Sequence, residues 1–488
     1  MTAHRGSLAL VLHSHMPYVE GFGTWPFGEE WLWEATASVY LPLLELLEAA
    51  SAPITLGVTP VLADQLETLP GPAGERLLGF LNGTRAAVHA EDSEGLERTG
   101  HPELAAEVRR AGREYQRAAE TLAQPGGRDL VTALHRLERD NPIELWTSSA
   151  THALLPLIAS DAGMRLQLTT GIRSHERRFG GWTGGFWMPE CAYVPGLERE
   201  LADAGVRVTC VDQTNAHGFG GPGNLEPVLT PSGVVAVPID WQTIQLVWNG
   251  LTGYPATGSY RDYHHRTTHD LRPWNIARKP YRPEDAAAQA SEHARDFVAQ
   301  AIRRLDDYSR ERGRPGLLCF ALDTELLGHW WYEGQTWLAA VLEEAPAQGL
   351  DLKTVSDGVA ATEPVQRELV ASSWGTSKDF STWDSPEVAE LAFAARAAEL
   401  RTVSAPGRGP AEPAALARAA RELLAIQSSD WAFQVKGALS ADYPMGRLAG
   451  HTAGLDEALQ ALRDSSAVRE PSVRNLAPDL DLAPLLAP

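Results

Sequence analysis

The chain has 488 residues, 44% of them apolar and 22% charged, with a formal net charge of −21. That length exceeds one small core and predicts two or three domains, or a barrel carrying insertions. The acidic balance argues against nucleic acid and anionic membrane as partners and favours a neutral or polyhydroxylated substrate. Fifteen Trp is a high count, and much of it gathers in a few motif-like stretches, where rings can cover the apolar faces of sugars. Cys191, Cys210 and Cys319 are spaced too widely for a disulfide framework or a metal knuckle and read as buried thiols of a reducing compartment. The N-terminus runs directly into an apolar strand with no leader-like segment, and no apolar run is long enough to span a bilayer. A cytoplasmic location is therefore expected.

Residues 7–12 form a short apolar run, the first and central strand. It ends in His13-Ser-His-Met-Pro-Tyr18. On an extended segment His13 and His15 point to the same side; this spacing can grip a metal ion or hydrogen-bond sugar hydroxyls. An aromatic-rich stretch over 22–33 precedes a helical segment over 34–50. Residues 54–60 read as a second strand, followed by a helix through Leu66. From about 70 to 140 the pattern is charged and helical without strand alternation, clearest at 105–122 and broken at Gly126-Gly127; this reads as a helical insertion. The strand at 143–149 leads into Thr151-His152, where His152 taken alone reads as a core residue.

In the stretch 185–196, Glu190 follows the apolar run Phe186-Trp187-Met188, with Pro189 stiffening the backbone before it. Trp187 and Tyr193 flank the acid, and Ala192 and Gly196 leave room behind. A carboxylate wedged among rings has a shifted proton affinity, which suits an acid, base or nucleophile. The plainer alternative is a buried Glu paired with an Arg. After a strand at 206–212, the Gly-rich loop 215–233 is expected to be a mobile lid. Strands are expected at 234–241 and 243–248, an aromatic platform at 253–255 with 260–263, and one long helix over 283–312.

The strand 317–322 ends in Asp323-Thr-Glu-Leu-Leu-Gly-His-Trp-Trp-Tyr332, a second carboxylate at a strand end, followed by three aromatics. Two such acids are what cleaving a glycosidic bond requires: one protonates the leaving oxygen, and the other attacks or shields the sugar cation. Residues 352–355 read as the last strand, and 372–383 close that face. Beyond Ser385-Pro386, a helix-start arrangement, no strand is expected. Helices fall at 414–428 and 454–463, with Gln427-Ser-Ser-Asp-Trp as a polar-aromatic break, and 470–488 reads as a loosely held tail. Strands alternating with helices, with polar candidates at strand C-terminal ends, predict an α/β fold built on a parallel barrel.

His13-Ser-His-Met-Pro-Tyr, Glu144 with Thr151-His152, Trp187-Met-Pro-Glu-Cys-Ala-Tyr, Asp323-Thr-Glu-Leu-Leu-Gly-His-Trp-Trp and Ser373-Trp-Gly with Trp383 resemble the five ordered sequence regions of glycoside hydrolase family 57. The resemblance spans roughly residues 5–460. Within the family the chain looks most like the 1,4-α-glucan branching enzymes, on the Asp323 string and the Ser-Ser-Asp-Trp of the helical region. The resemblance implies an incomplete (β/α)7 TIM-like barrel over 1–70 and 141–385, a helical insertion over 71–140, a C-terminal all-helical domain over 386–470 and a tail over 471–488. It implies a retaining double displacement without metal or cofactor, with Glu190 as nucleophile and Asp323 as general acid/base. Glu325, on the same strand face, is the alternative acid. His13, His15 and His152 would line the donor sugar's site; Trp248, Trp374, Trp383 and Trp431 would flank the glucan groove; Trp187, His329 and Trp330 complete the substrate-binding set. The implied partner is an α-1,4-glucan, with the chain a monomer or homodimer. One departure stands out. Branching members carry a Tyr at the lid tip, whereas Phe219 is the only aromatic in the loop here, which leaves the balance of transfer and hydrolysis open. A 4-α-glucanotransferase or an α-amylase-type hydrolase could use the same acids. A metal-dependent polysaccharide deacetylase would use the histidines and leave Glu190 unexplained.

Overall fold

Among the described residues, short apolar runs become nine strands: β1 (Gly6–Ser14), β2 (Ile54–Val58), β3 (Ile143–Ser148), β4 (Gly185–Trp187), β5 (Val208–Val211), β6 (Val228–Leu229), β7 (Val235–Pro238), β8 (Gly316–Asp323) and β9 (Asp351–Lys353). The structure, a computed structural model, describes residues 5–405, 412–468 and 475–486. In space the strands run β6-β7-β5-β4-β3-β2-β1-β8, with β9 beside β1. Every pairing is parallel except β6 with β7. The sheet curls until its ends touch: Ile239, just past β7, bridges to Cys319 of β8, and the Asp240 amide donates to the Cys319 carbonyl at 2.8 Å. Setting aside the short β6 and β9, seven parallel strands (β1, β2, β3, β4, β5, β7, β8) make an incomplete (β/α)7 barrel.

Burial explains the composition of these strands. All nine residues of β1 are buried, as expected of a parallel sheet covered on both faces, where runs are continuously apolar. The approach of β4 to β3 depends on Gly185, where a Cβ would lie 2.1 Å from the Trp146 indole nitrogen. Outside the barrel, the helix Asp161–Phe179 starts on Ser160, whose hydroxyl accepts from the Gly163 amide, and stops at Gly180 with φ 72°. The helix Pro283–Arg312 turns a buried stripe that includes Ala286, Ala290, Ala294 and Ala301 to the sheet. The β2–β3 crossover carries the helices Pro72–Gly79, Ala86–Arg98, Pro102–Ala123 and Leu130–Asp140. After the barrel come helices Ala389–Val403, Glu412–Ile426, Asp430–Lys436 and Tyr443–Asp464, whose apolar cluster around Leu423, Leu455 and Leu459 continues to Tyr18, Ala150 and Ala192 of the barrel.

Three expectations are corrected. Residues 243–248 are not a strand but belong to the helix Trp241–Trp248. The Asp240 carboxylate accepts from the Thr243 amide at 3.2 Å and from its hydroxyl at 3.0 Å. This cap starts a helix whose Trp241, Ile244 and Val247 face inward at helical spacing. The Gly-rich stretch has structure of its own: a helical turn Thr214–His217, a 3-10 turn Pro222–Leu225 and β6. Arg304 also pins the Gly220 and Gly221 carbonyls at 2.9 and 2.8 Å. The described part of the tail, 475–486, is docked rather than loose: the Ala477 amide donates to Asp64 at 2.7 Å, and Leu476 and Leu485 are buried. Residues 471–474 and 487–488 of that tail lie outside the described residues, as do 1–4, 406–411 and 469–470.

Candidate active site

The C-terminal ends of β1, β3, β4 and β8 deliver side chains to one cavity of about 2070 Å³, lined among others by His13, His15, His152, Glu190, Asp323 and Glu325. In a parallel barrel this is the end where strands release their polar residues. His13 and Asp323 are register partners on neighbouring strands, so the first and eighth strands present them side by side.

Glu190 sits in a strained turn. Its φ is 61°, Cys191 follows at 49°, and His152, whose Nδ1 lies 3.7 Å from Glu190 Oε1, has φ 58°; each such non-Gly residue costs about 1–3 kcal/mol. Surrounding hydrogen bonds hold the turn. The Cys191 amide donates to Met188 at 2.9 Å, Tyr193 and Ser372 exchange amide bonds at 2.9 and 3.0 Å, and the Trp374 amide donates to the Glu190 carbonyl at 2.8 Å. The carboxylate itself accepts from the Trp374 indole at Oε2 (2.6 Å) and from the Ser429 hydroxyl at Oε1 (3.0 Å).

Asp323 ends β8 and, among the described residues, receives no hydrogen bond on its carboxyl group. Its neighbour Glu325 is tied down, accepting from the Tyr40 hydroxyl at 2.6 Å and the His15 amide at 3.1 Å. Burial pushes Glu190, Asp323 and Glu325 each up to about 7. The charge of Asp323 adds to the rise at Glu190, whereas the Trp374 and Ser429 donors oppose it. At Asp323 the charge of Glu325 adds to the rise and His15 opposes it.

The three histidines form a stack. His15 and His152 rings lie 4.0 Å apart at 19°, and His13 and His152 4.9 Å apart at 20°. Burial drives His13 and His152 well below the usual histidine range, and the charge of His15 adds to this. Burial would also lower His15, but Asp430, Glu325 and Glu190 outweigh it and hold His15 raised. One nitrogen each of His15 and His152 and an oxygen of Asp430 lie within 4.8 Å of one another, yet they do not fit a metal ion. Tetrahedral zinc needs donors about 3.3 Å apart with lone pairs converging. Here the rings are stacked, so their in-plane lone pairs run side by side. His15 Nε2 is also occupied by Asp430, and the two nitrogens of His152 by His13 and Ser429.

Of the aromatic residues singled out in the sequence, Trp248, Trp330, Phe219, His329, Trp374 and Trp383 line the cavity. Trp248 and Trp330 are half exposed, and Trp330 stacks on Tyr263 at 5.1 Å. Trp374 does more than flank: its indole grips Glu190. Two expected substrate-binding residues do not reach the cavity. Trp187 is wholly buried and stacks on His13 at 4.6 Å. Trp431 is 1% exposed, donates its indole N–H to the Ala425 carbonyl at 2.7 Å, and packs under the Arg447 guanidinium. From the C-terminal helical region Asp430, Phe433, Gln434, Leu439 and Ser440 line the cavity, and Ser429 reaches Glu190. In sequence Ser429 and Asp430 fall in the polar-aromatic break Gln427-Ser-Ser-Asp-Trp, which does not itself tie them to histidines hundreds of residues away.

Residues 9–370 match the family model of glycosyl hydrolase family 57, and residues 392–481 match a model described as the C-terminal part of 1,4-alpha-glucan branching enzymes. A probable 1,4-alpha-glucan branching enzyme of Mycobacterium tuberculosis is 35% identical over 97% of this chain and 94% of its own. The 1,4-alpha-glucan branching enzyme of Thermococcus kodakarensis is 31% identical over 92% of this chain and 72% of its own. The crystal structure of a branching enzyme of the same family from Pyrococcus horikoshii superposes with a TM-score of 0.89 at 29% identity, covering 99% of this chain and 97% of that one.

Proposed function

The chain belongs to glycosyl hydrolase family 57, and we propose that it is a 1,4-α-glucan branching enzyme working by retaining double displacement. The observation that carries this reading is the asymmetry of the two acids. Glu190 is aimed and charge-stabilised by Trp374 and Ser429, while Asp323 stands beside it with its carboxyl group free to hold a proton. Paired carboxyls, one held by two donors and the other free of them, suit the roles of nucleophile and acid. A Glu190 oxygen attacks the anomeric carbon of an α-1,4-linked glucosyl unit as Asp323 gives its proton to the departing 4-oxygen. The freed chain end leaves, and a 6-hydroxyl of a second glucan segment enters. That hydroxyl returns its proton to Asp323 as its oxygen displaces Glu190, so configuration is retained and a branch is made.

The aromatic rim around Trp248, Trp330 and Phe219 suits the apolar faces of a glucan chain. The division into a barrel over 1–70 and 141–385, an insertion over 71–140 and a helical domain over 386–470 fits this use, with the last closing the cavity over the acids. Three buried, unpaired thiols support a reducing, cytoplasmic setting, and a role in glycogen-like glucan synthesis follows from the product.

The test is amylose incubated with the protein, with α-1,6 linkages followed by proton NMR and reducing ends counted in the same tube. New α-1,6 signal with few new reducing ends is expected. Reducing ends without α-1,6 signal would make the chain a hydrolase. Redistributed α-1,4 lengths with neither change would make it a 4-α-glucanotransferase.

A further inference from the structure

We propose that Ser429, reaching in from the C-terminal helices, is a positioning residue for the reaction: its hydroxyl holds Glu190 in its attacking orientation and terminates a one-way chain of hydrogen bonds that begins at His13. This rests on the reading of Glu190 as nucleophile. The Ser429 oxygen lies 2.9 Å from His152 Nδ1 and 3.0 Å from Glu190 Oε1, and His152 Nε2 lies 2.9 Å from His13 Nε2. Three contacts join four groups.

The direction of the chain follows from counting hydrogens. His13 and His152 are buried and neutral, so each ring carries one N–H and one bare nitrogen. Among the described residues, His13 Nδ1 is buried with no partner. A buried N–H left without an acceptor is rarer and costlier than a bare acceptor, so the His13 proton belongs on Nε2, where it donates to His152. That places the His152 proton on Nδ1, pointing at Ser429. The single hydroxyl hydrogen of Ser429 then has one acceptor left, Glu190. Reversing the chain would strand an N–H at His13 and set two acceptors, Ser429 Oγ and an ionised Glu190, against each other at 3.0 Å.

Ser429 is fixed independently of its hydroxyl. Its amide donates to the His152 carbonyl at 3.1 Å, and Ser428 bridges to Ala153. Removing the hydroxyl therefore leaves the docking of the helices in place and removes the donor to Glu190 together with the acceptor of the His152 Nδ1–H.

The experiment compares wild type, Ser429→Ala and Ser429→Thr with an α-maltotriosyl fluoride donor, whose leaving group needs no proton. Ser429→Ala is expected to lower kcat roughly ten- to hundredfold, the effect of one hydrogen bond to a charged group, with KM nearly unchanged. The acid limb of its kcat/KM profile should move up by about one pH unit, a tenfold loss of preference for ionised Glu190. Ser429→Thr, which keeps the hydroxyl, should recover most of both. An unchanged acid limb in Ser429→Ala, a rise in KM alone, or a Thr variant as impaired as the Ala one would overturn the proposal. Glu190→Ala with added azide runs alongside. A β-glycosyl azide product establishes Glu190 as nucleophile whatever Ser429 does, and its absence would remove the underlying reading instead.

Discussion

Asp430 meets Nε2 of His15 with both carboxylate oxygens, at 2.9 and 3.0 Å, across the seam between the barrel and the C-terminal helices. Burial would raise Asp430, but His15 outweighs it and holds the carboxyl down at about 2. The pair therefore favours the imidazolium form of His15 against the Asp430 carboxylate, beside the two acids. Asp430→Asn removes the charge and sets an amide NH2 where Ser428 now donates its hydroxyl. His15 should then titrate below its ordinary value of about 6.5 instead of above it, which NMR of its ring carbon protons would report. The linkage has a definite sign. Because His15 is raised in the folded state, its contribution to stability is fully present below about 6.5 and fades as pH rises through the folded value. The melting-temperature gap between wild type and Asp430→Asn should accordingly narrow from pH 6 to pH 8. A gap independent of pH would mean that His15 is neutral.

The pH–rate profile should be a narrow bell centred near neutrality. Glu190 must be ionised to attack, so the rate falls as pH drops through its value, pushed up by burial to about 7. Asp323 must be protonated, so the rate falls again as pH climbs through its value, also about 7. The two limbs belong to the pair jointly; the proton leaves Glu190 first because two donors favour its charged form, and that new charge then holds the proton on Asp323. Profiles of kcat/KM on amylose check this. A plateau extending well above pH 9 would remove Asp323 as the acid.

Asp323 and Glu325 can be separated by the leaving group. General acid catalysis contributes about 10²–10⁴-fold, so Asp323→Asn should lose that much on amylose and regain most of it with a glycosyl fluoride. Glu325 spends its carboxylate on Tyr40 and the His15 amide. Glu325→Gln should therefore show a smaller loss, about tenfold for one weakened charge-assisted bond, and the same loss with both donors. The opposite pattern would exchange their roles.

Much of this arrangement could be read from the chain because strand ends in a parallel barrel share one exit. Apolar runs that stop at His13, Glu190 and Asp323 predict side chains at the same end, and the observed fold places them there. The misreadings have physical causes. Thr243-Ile-Gln-Leu246 alternates polar and apolar residues, and Thr243, Ile244 and Val247 are β-branched, a strand pattern; the Asp240 cap overrides it. Ser429 and Asp430 show in the sequence only as a polar-aromatic break, not by role, because their partners, Glu190 and His15, come from strands that meet them only after the C-terminal helices dock. Trp431 shares a tetrapeptide with them yet points the other way, because successive helix residues are turned about 100° apart.

Trp330 and Trp431 should answer differently to the same substitution. Trp330 is half exposed at the cavity and stacked on Tyr263, so Trp330→Ala removes a ring face without opening a core. It should raise KM for amylose about two- to tenfold, the worth of one aromatic contact at about 0.5–1.5 kcal/mol, and change stability by less than about 0.5 kcal/mol. Trp431 is enclosed by the C-terminal helices, with its N–H on Ala425 and Arg447 over its ring. Trp431→Ala leaves a cavity worth about 3–5 kcal/mol of stability, which urea unfolding would show as an earlier midpoint. A Trp431→Ala protein that unfolds like wild type yet binds amylose poorly would put that ring back in the groove and mean that the C-terminal helices open when glucan enters.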